Sequence, residues 1–383
     1  MSRCAAAALA VAALVACAGA AAATRRSTLE VVATNLDNPR KLFVASGAVY
    51  VVEAGVGGRD RCLGAGAARF CVGLSGAITE VKGRTTRRVV TGLWSGARPD
   101  GTEGEGPADV IVRGRTFDVL LQDSSIDAHG HNPLGPDGAT AGDLISTPAG
   151  KARPAVLVNF AAFEAAHNPD HGAGSGPKLG NPAIDSDPYA FVRYRGGYAV
   201  VDAAANDLLR VSPGGRVSVL AVFPTRTEPL TPAVAKQIGA PAATRSIAVQ
   251  SVPSSVAVGP DGALYVGELT GVPFTPGTAR VWRVVPGRKP TVYASGFTNI
   301  SDLAFDGRDL LVLELAARGL RDAASPGALI RVRPGGNRTL LAGAPLHRPT
   351  GLAVAGGWIY VSNNGLSPGT GNGRRGELVR IRR

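Results

Sequence analysis

The segment VPSSVAVGPDGALYVGE, residues 252–268, holds two short apolar runs joined by an Asp261-Gly262 turn, and looser copies of it recur along the chain. An Asp-Gly pair between two apolar runs is a β-hairpin signal. The copies are NPRKLFVASGAVYVVE from Asn38, GPADVIVRGRTFDVLLQ from Gly106, DPYAFVRYRGGYAVVD from Asp187, NISDLAFDGRDLLVLE from Asn299 and RPTGLAVAGGWIYVSN from Arg348. With the first segment they make six hairpins, starting about 50 to 80 residues apart, a period that fits four-stranded propeller blades with variable loops.

A third strand follows every hairpin: GAITEV, GDLIST, NDLLRV, RVWRVV, GALIRV and GELVRI. A fourth follows the first five of these: TRRVVTGL, ARPAVLVNF, RVSVLAVF, PTVYASGF and RTLLAGA. After the sixth third-strand the sequence stops at Arg383, and an unmatched strand, STLEVVATNL, stands at residues 27–36. The expected fold is therefore all-β, a six-bladed β-propeller over residues 27–383 in which the N-terminal strand completes the last blade and closes the ring. Closure removes the exposed edges that an open sheet would leave.

The N-terminal MSRCAAAALAVAALVACAGAAAAT has one early Arg3 and an Ala/Leu/Val core, the pattern of a secretory signal over residues 1–23 rather than a membrane span. Secreted, extracytoplasmic location is the expectation. The run Leu14-Val15-Ala16-Cys17 also has the shape of a lipoprotein box, so anchorage through an acylated Cys17 is the alternative. Beyond the signal only Cys62 and Cys71 remain, an even pair in a Gly-rich loop that reads as one disulfide. The formal charge of +12 is carried almost wholly by Arg spread along the chain, with no module of interleaved aromatic and basic residues. A nucleic-acid partner is not expected, and neither is a transmembrane span; the expected state is a monomer.

In each hairpin the opening residue and the residue that ends the second strand, about fourteen positions later, fall at the same rim of the ring. The rim residues are Glu53, Gln122, Asp202, Glu268, Glu314 and Asn363. Every long segment falls on that side, among them 54–75, 94–106, 124–141, 161–187 and 224–251, whereas the opposite turns are all short. Loops gathered on one face mark the expected binding side of a repeat protein. The rim oxygens suit a calcium-like divalent cation at the channel mouth, or they accept hydrogen bonds from loop N–H groups and shape their own blades. His129, His131, His167 and His171, four of the five histidines, lie in two consecutive loops and form a candidate transition-metal group. No Gly-x-Ser-x-Gly elbow, phosphate loop or dinucleotide fingerprint is present.

The segments NFAAFEAAHNPD (159–170), GELTGVPFTPG (267–277), YASGFTNISDLAF (293–305) and PTGLAVAGGWIYVSNNGLSPGTG (349–371) resemble the ScyD/ScyE family of exported bacterial propellers. That family is distantly similar to NHL-repeat and gluconolactonase-type propellers. The resemblance implies fold and export and supplies no catalytic residues. The expected function is recognition of an envelope or extracellular partner, or of a small molecule, through the loop-rich face. The alternative is a metal-dependent lactone or ester hydrolase.

Overall fold

A computed structural model describes residues 29–123, 134–173 and 185–383. Six sheets surround a central channel, each built on a blade of four antiparallel strands, and in blade 1 the short strands Arg61–Leu63 and Gly150–Lys151 add to the sheet. The innermost strands are Pro39–Ala45, Pro107–Arg113, Pro188–Tyr194, Pro253–Val258, Ile300–Asp306 and Gly351–Ala355. Blade 6 takes its outermost strand from Glu30–Leu36, which pairs with Gly376–Arg382 in the register Glu30↔Arg380, Val31↔Val379 and Leu36↔Gly376. The ring is thus closed as the unmatched strand requires.

Each blade is sandwiched between two others, which explains why the second strands read as continuous apolar runs rather than alternating ones. In Ala48–Glu53 every residue is buried, whereas the outermost strand Arg338–Ala342 is mostly exposed. The core is accordingly split into six clusters, one per blade interface. Tyr50, Val110 and Phe117 pack between blades 1 and 2, Val201, Val266 and Trp282 between blades 3 and 4, and Leu36, Val51 and Leu378 between blades 6 and 1.

Side chains at the start of the innermost strands stitch neighbouring blades together. Ser254 Oγ donates to Ile300 O at 2.5 Å, Ser301 Oγ to Pro349 O at 2.8 Å and Thr350 Oγ1 to Pro39 O at 2.6 Å. Asp109 accepts from Phe191 N at 2.9 Å and Asp302 from Leu352 N at 2.7 Å, continuing the pattern between blades 2 and 3 and blades 5 and 6.

Two long rim segments contain more strand than the sequence suggests. In blade 1 the outer strands run Phe70–Lys82 and Thr85–Ala97, so that Phe70 to Ser75 and Trp94 to Ala97 rise above the rim as a ribbon instead of forming loops. Small residues permit this: a Cβ on Gly96 would lie 2.0 Å from the Phe70 ring. The short strand Arg61–Leu63 pairs with the ribbon, and Cys62 and Cys71, directly opposite each other, form the disulfide. Segment 224–251 folds into a hairpin of Arg226–Pro229 with Ser246–Val249. The helix Phe160–His167, capped by Asn159 Oδ1 accepting from Ala162 N, sits in the loop between blades 2 and 3. No helix among the described residues is long and apolar enough to cross a membrane.

Candidate functional site

The rim side chains stand at one end of their blades, and most are engaged by groups of the same blade. Glu53 accepts from Asp37 N at 2.7 Å, from Thr79 Oγ1, and from Arg88 at 2.7 and 3.0 Å. Asp202 accepts from Asp187 N at 2.7 Å and Ser186 Oγ at 2.6 Å. Glu268 accepts from Ser251 Oγ and Trp282 Nε1, both at 2.7 Å, and from Arg280. Glu314 accepts from Thr298 N at 2.8 Å, and Asn363 Oδ1 from His347 N at 2.7 Å. In these five blades the side chain fastens the segment that leads into its own innermost strand. Gln122 differs, since its Oε1 faces Arg40 Nε of blade 1 at 3.5 Å.

Among the described residues no group of three or more His, Cys, Asp or Glu side chains is placed to hold a metal ion. His129 and His131 lie outside the described residues. His167 stacks on Phe163 with ring centroids 4.4 Å apart and contacts Phe163 O through Nδ1 at 2.9 Å, which ties it to its own helix. His171 has a left-handed backbone, φ +57°, in the turn that follows.

Blade 3 departs from the others in its electrostatics. Asp202 and Asp207 are directly opposed across the second and third strands, and both are fully buried. The corresponding neighbourhood of blade 1 holds Arg88 and that of blade 4 holds Arg226 and Arg280. Here the surrounding groups are instead Glu164 and Asp170. Both carboxylate oxygens of Asp207 and Oε2 of Glu164 lack a hydrogen-bond partner among the described residues. Burial, reinforced by Asp202, Glu164 and Asp170, holds the Asp207 carboxyl well above the usual carboxylate range. Burial first, then Asp202, Asp170 and Asp185, pushes Glu164 up to about 8.

The channel carries two layers of buried charge that the repeat pattern did not single out. In the upper layer Arg40 reaches Gly104 O and Gly365 O and so ties three segments together at the mouth. One residue deeper, Lys41 crosses the ring to Asp302 Oδ1 at 2.9 Å and Ser301 O. Its ammonium also lies 5.5 Å from the centre of the Tyr189 ring. Asp109 completes this layer, and burial pushes its carboxyl up to about 7 against the lowering influence of two backbone N–H groups and Lys41. Below it lies a cavity of about 330 Å³, walled by Leu42, Phe43, Ile111, Phe191 and Leu303, which runs toward Arg193 and Val258 at the short-turn end.

No family model and no curated relative matches the chain. Solved structures do. Regucalcin from Agrobacterium tumefaciens is 11% identical, with 92% of each chain covered and a TM-score of 0.48. A gluconolactonase-like protein is 10% identical over 93% of this chain and 92% of that one, with a TM-score of 0.48. Virginiamycin B lyase from Staphylococcus aureus, solved with quinupristin, is 13% identical over 93% of this chain and 99% of that one, with a TM-score of 0.45. The neighbours are β-propellers of the gluconolactonase and streptogramin-lyase kinds.

Sequence reasoning found the rim and missed the channel. Arg40, Lys41, Asp109 and Asp302 sit inside otherwise apolar first strands, PRKLFV, PADVIV and ISDLAF. Charge inside a strand whose two faces are both buried is the signal that could have found them. Glu164 and Asp207 carry no such signal, because one lies on a short helix and the other at an ordinary strand start.

Proposed function

We propose that this chain is an exported binding propeller of the ScyD/ScyE kind, recognising an envelope or extracellular partner, or a small molecule, through its loop-rich face. The observation that carries this reading is the use made of the rim. In five blades the rim side chain fastens the incoming segment of its own blade, so the ring of polar residues is a collar that holds loops in place. A collar of this kind leaves recognition to the loops it positions. The disulfide between Cys62 and Cys71, on one of those loops, agrees with a protein that works outside the reducing cytosol.

The hydrolase alternative has one feature in its favour: Asp109, a carboxyl near 7 beside the Lys41–Asp302 pair, at the head of a mostly apolar cavity. A group that titrates near neutrality in such a place suits general acid or base work. The two readings separate on one experiment. Metal content of the purified protein is measured, and a panel of lactones and esters is assayed with and without chelator, on the native chain and on Asp109→Asn. The binding reading expects no turnover by either; turnover that Asp109→Asn removes would replace it with the hydrolase.

A further inference from the structure

The antiparallel topology puts the turns within hairpins, and the turns between third and fourth strands, at the end of the disc opposite the rim. Those short turns collect the basic residues. Each blade contributes at least two cations to this end: VKGRTT (81–86), RGRT (113–116), RYRGG (193–197), PGRK (286–289), RPGGNR (333–338) and the terminal RIRR (380–383). In several of the two-residue turns an Arg stands beside a glycine of positive φ, as at Gly83-Arg84, Gly114-Arg115 and Gly307-Arg308, which puts the cation at the exposed tip.

The carboxylates found at this end are already used. Glu30, Glu80, Asp118, Asp261, Asp306 and Asp309 are each paired with an arginine. Arg84, Arg115, Arg288 and Arg333, by contrast, are exposed and make no side-chain hydrogen bond or ion pair among the described residues. On the loop face the balance is reversed, and the carboxylates of blade 3 have no cation partner among the described residues. The +12 charge is therefore concentrated on one level face built from short turns. Between blades 2 and 3 that face is grooved by a cavity of about 750 Å³ bordered by Arg113, Arg193, Arg195 and the exposed Val156 and Leu157.

The chain also enters the domain at this end. Glu30 is paired with Arg380, two residues from the terminal Arg382-Arg383, so the described residues begin at the basic face. We propose that the short-turn face is a docking surface for an anionic lipid bilayer, with the loop-rich face turned away from it. A flat array of cations suits a planar sheet of phosphate headgroups better than a single chain, which would follow one groove. Each cation held within a Debye length of such a surface adds about fivefold to the affinity.

The test uses two variants of the full chain with the same net charge. One carries Arg84→Glu, Arg115→Glu, Arg288→Glu and Arg333→Glu on the short-turn face; the other carries Arg59→Glu, Lys236→Glu, Arg245→Glu and Arg374→Glu on the loop face. Four such reversals change the charge by −8, so each variant falls from +12 to +4. Co-sedimentation is measured with phosphatidylcholine vesicles and with vesicles containing about 30% phosphatidylglycerol, at about 0.1 and 0.5 M NaCl. Docking through the basic face predicts a phosphatidylglycerol-dependent increment that fades at high salt. The short-turn variant loses it by at least about tenfold, and the loop variant keeps it. Equal losses in the two variants, or no increment for the native chain, would overturn the proposal. Capture of the native chain by a soluble acidic polysaccharide without any vesicle increment would overturn it as well, in favour of that polymer.

Discussion

Glu164 gives the sharpest test of the acidic corner of blade 3. The side chain is 2% exposed and Oε2 lacks a partner, and a carboxyl that ordinarily titrates at 4.5 is pushed up to about 8. Because 1.36 kcal/mol corresponds to each tenfold change in proton affinity, full expression of that preference is worth about 5 kcal/mol. The residue lies near the loop surface, and water penetration reduces the figure to about 2–3 kcal/mol. The folded protein holds this proton more tightly than the unfolded chain. Stability from Glu164 is thus fully present below about 4.5 and is withdrawn as pH rises toward 8. Glu164→Gln keeps the shape and cannot ionise. Urea unfolding at pH 5 and pH 8 is therefore expected to show the variant gaining about 2–3 kcal/mol on the native protein between the two conditions. Asp185, pushed up to about 6, and Asp202 and Asp207, also raised, steepen the slope of both proteins; because the Glu164 charge is one cause of the rise of Asp207, the difference between them reports Glu164 together with that coupling. Parallel stability curves would refute the reasoning.

Other perturbations test the frame. Val252 holds φ +50° at the position where blades 1 and 5 place Asn38 and Asn299, both left-handed. Val252→Asn is expected to raise stability by about 1 kcal/mol in thermal or urea unfolding, since a β-branched residue is strained there. Lys41→Met leaves Asp302 buried without its cation and is expected to cost about 3–5 kcal/mol; adding Asp302→Leu should return part of that loss in a double-mutant cycle. Deleting residues 1–36 strips blade 6 of its outermost strand and exposes Gly376–Arg382 as an edge, so loss of the cooperative transition or aggregation is expected, read by light scattering during refolding. Replacing Cys62 and Cys71 with Ala should act locally, and faster hydrogen exchange confined to Arg61–Leu63 and its partner Phe70–Val72 is the expected readout.

The blades were legible because a hairpin is written locally: an Asp-Gly or Arg-Gly turn between apolar runs specifies its own pairing within a few residues. Count and closure followed from the same local signals, since one strand was lacking at Arg383 and one was spare before Leu36. The disulfide was legible for a related reason, two cysteines in one Gly-rich loop. The side of the ring on which the loops gather could also be read, because antiparallel strands alternate direction. The ribbon of blade 1 was not, because Gly57, Gly73 and Gly96 look like loop residues until the close approach they permit is seen.

The channel and the two charged faces were decided only by the closed ring. Lys41 and Asp302 are 261 positions apart, and nothing local in either strand names the other as its partner. Most blades bring two or more cations to their short turns or the strand ends beside them, unremarkable singly, and along the chain they are interleaved with acids. Folding sorts them because successive turns point alternately to the two ends of the disc, and most of the acids happen to be written into the opposite set. Composition therefore set how much charge this protein carries, and the alternation of strand direction around the ring set where that charge stands.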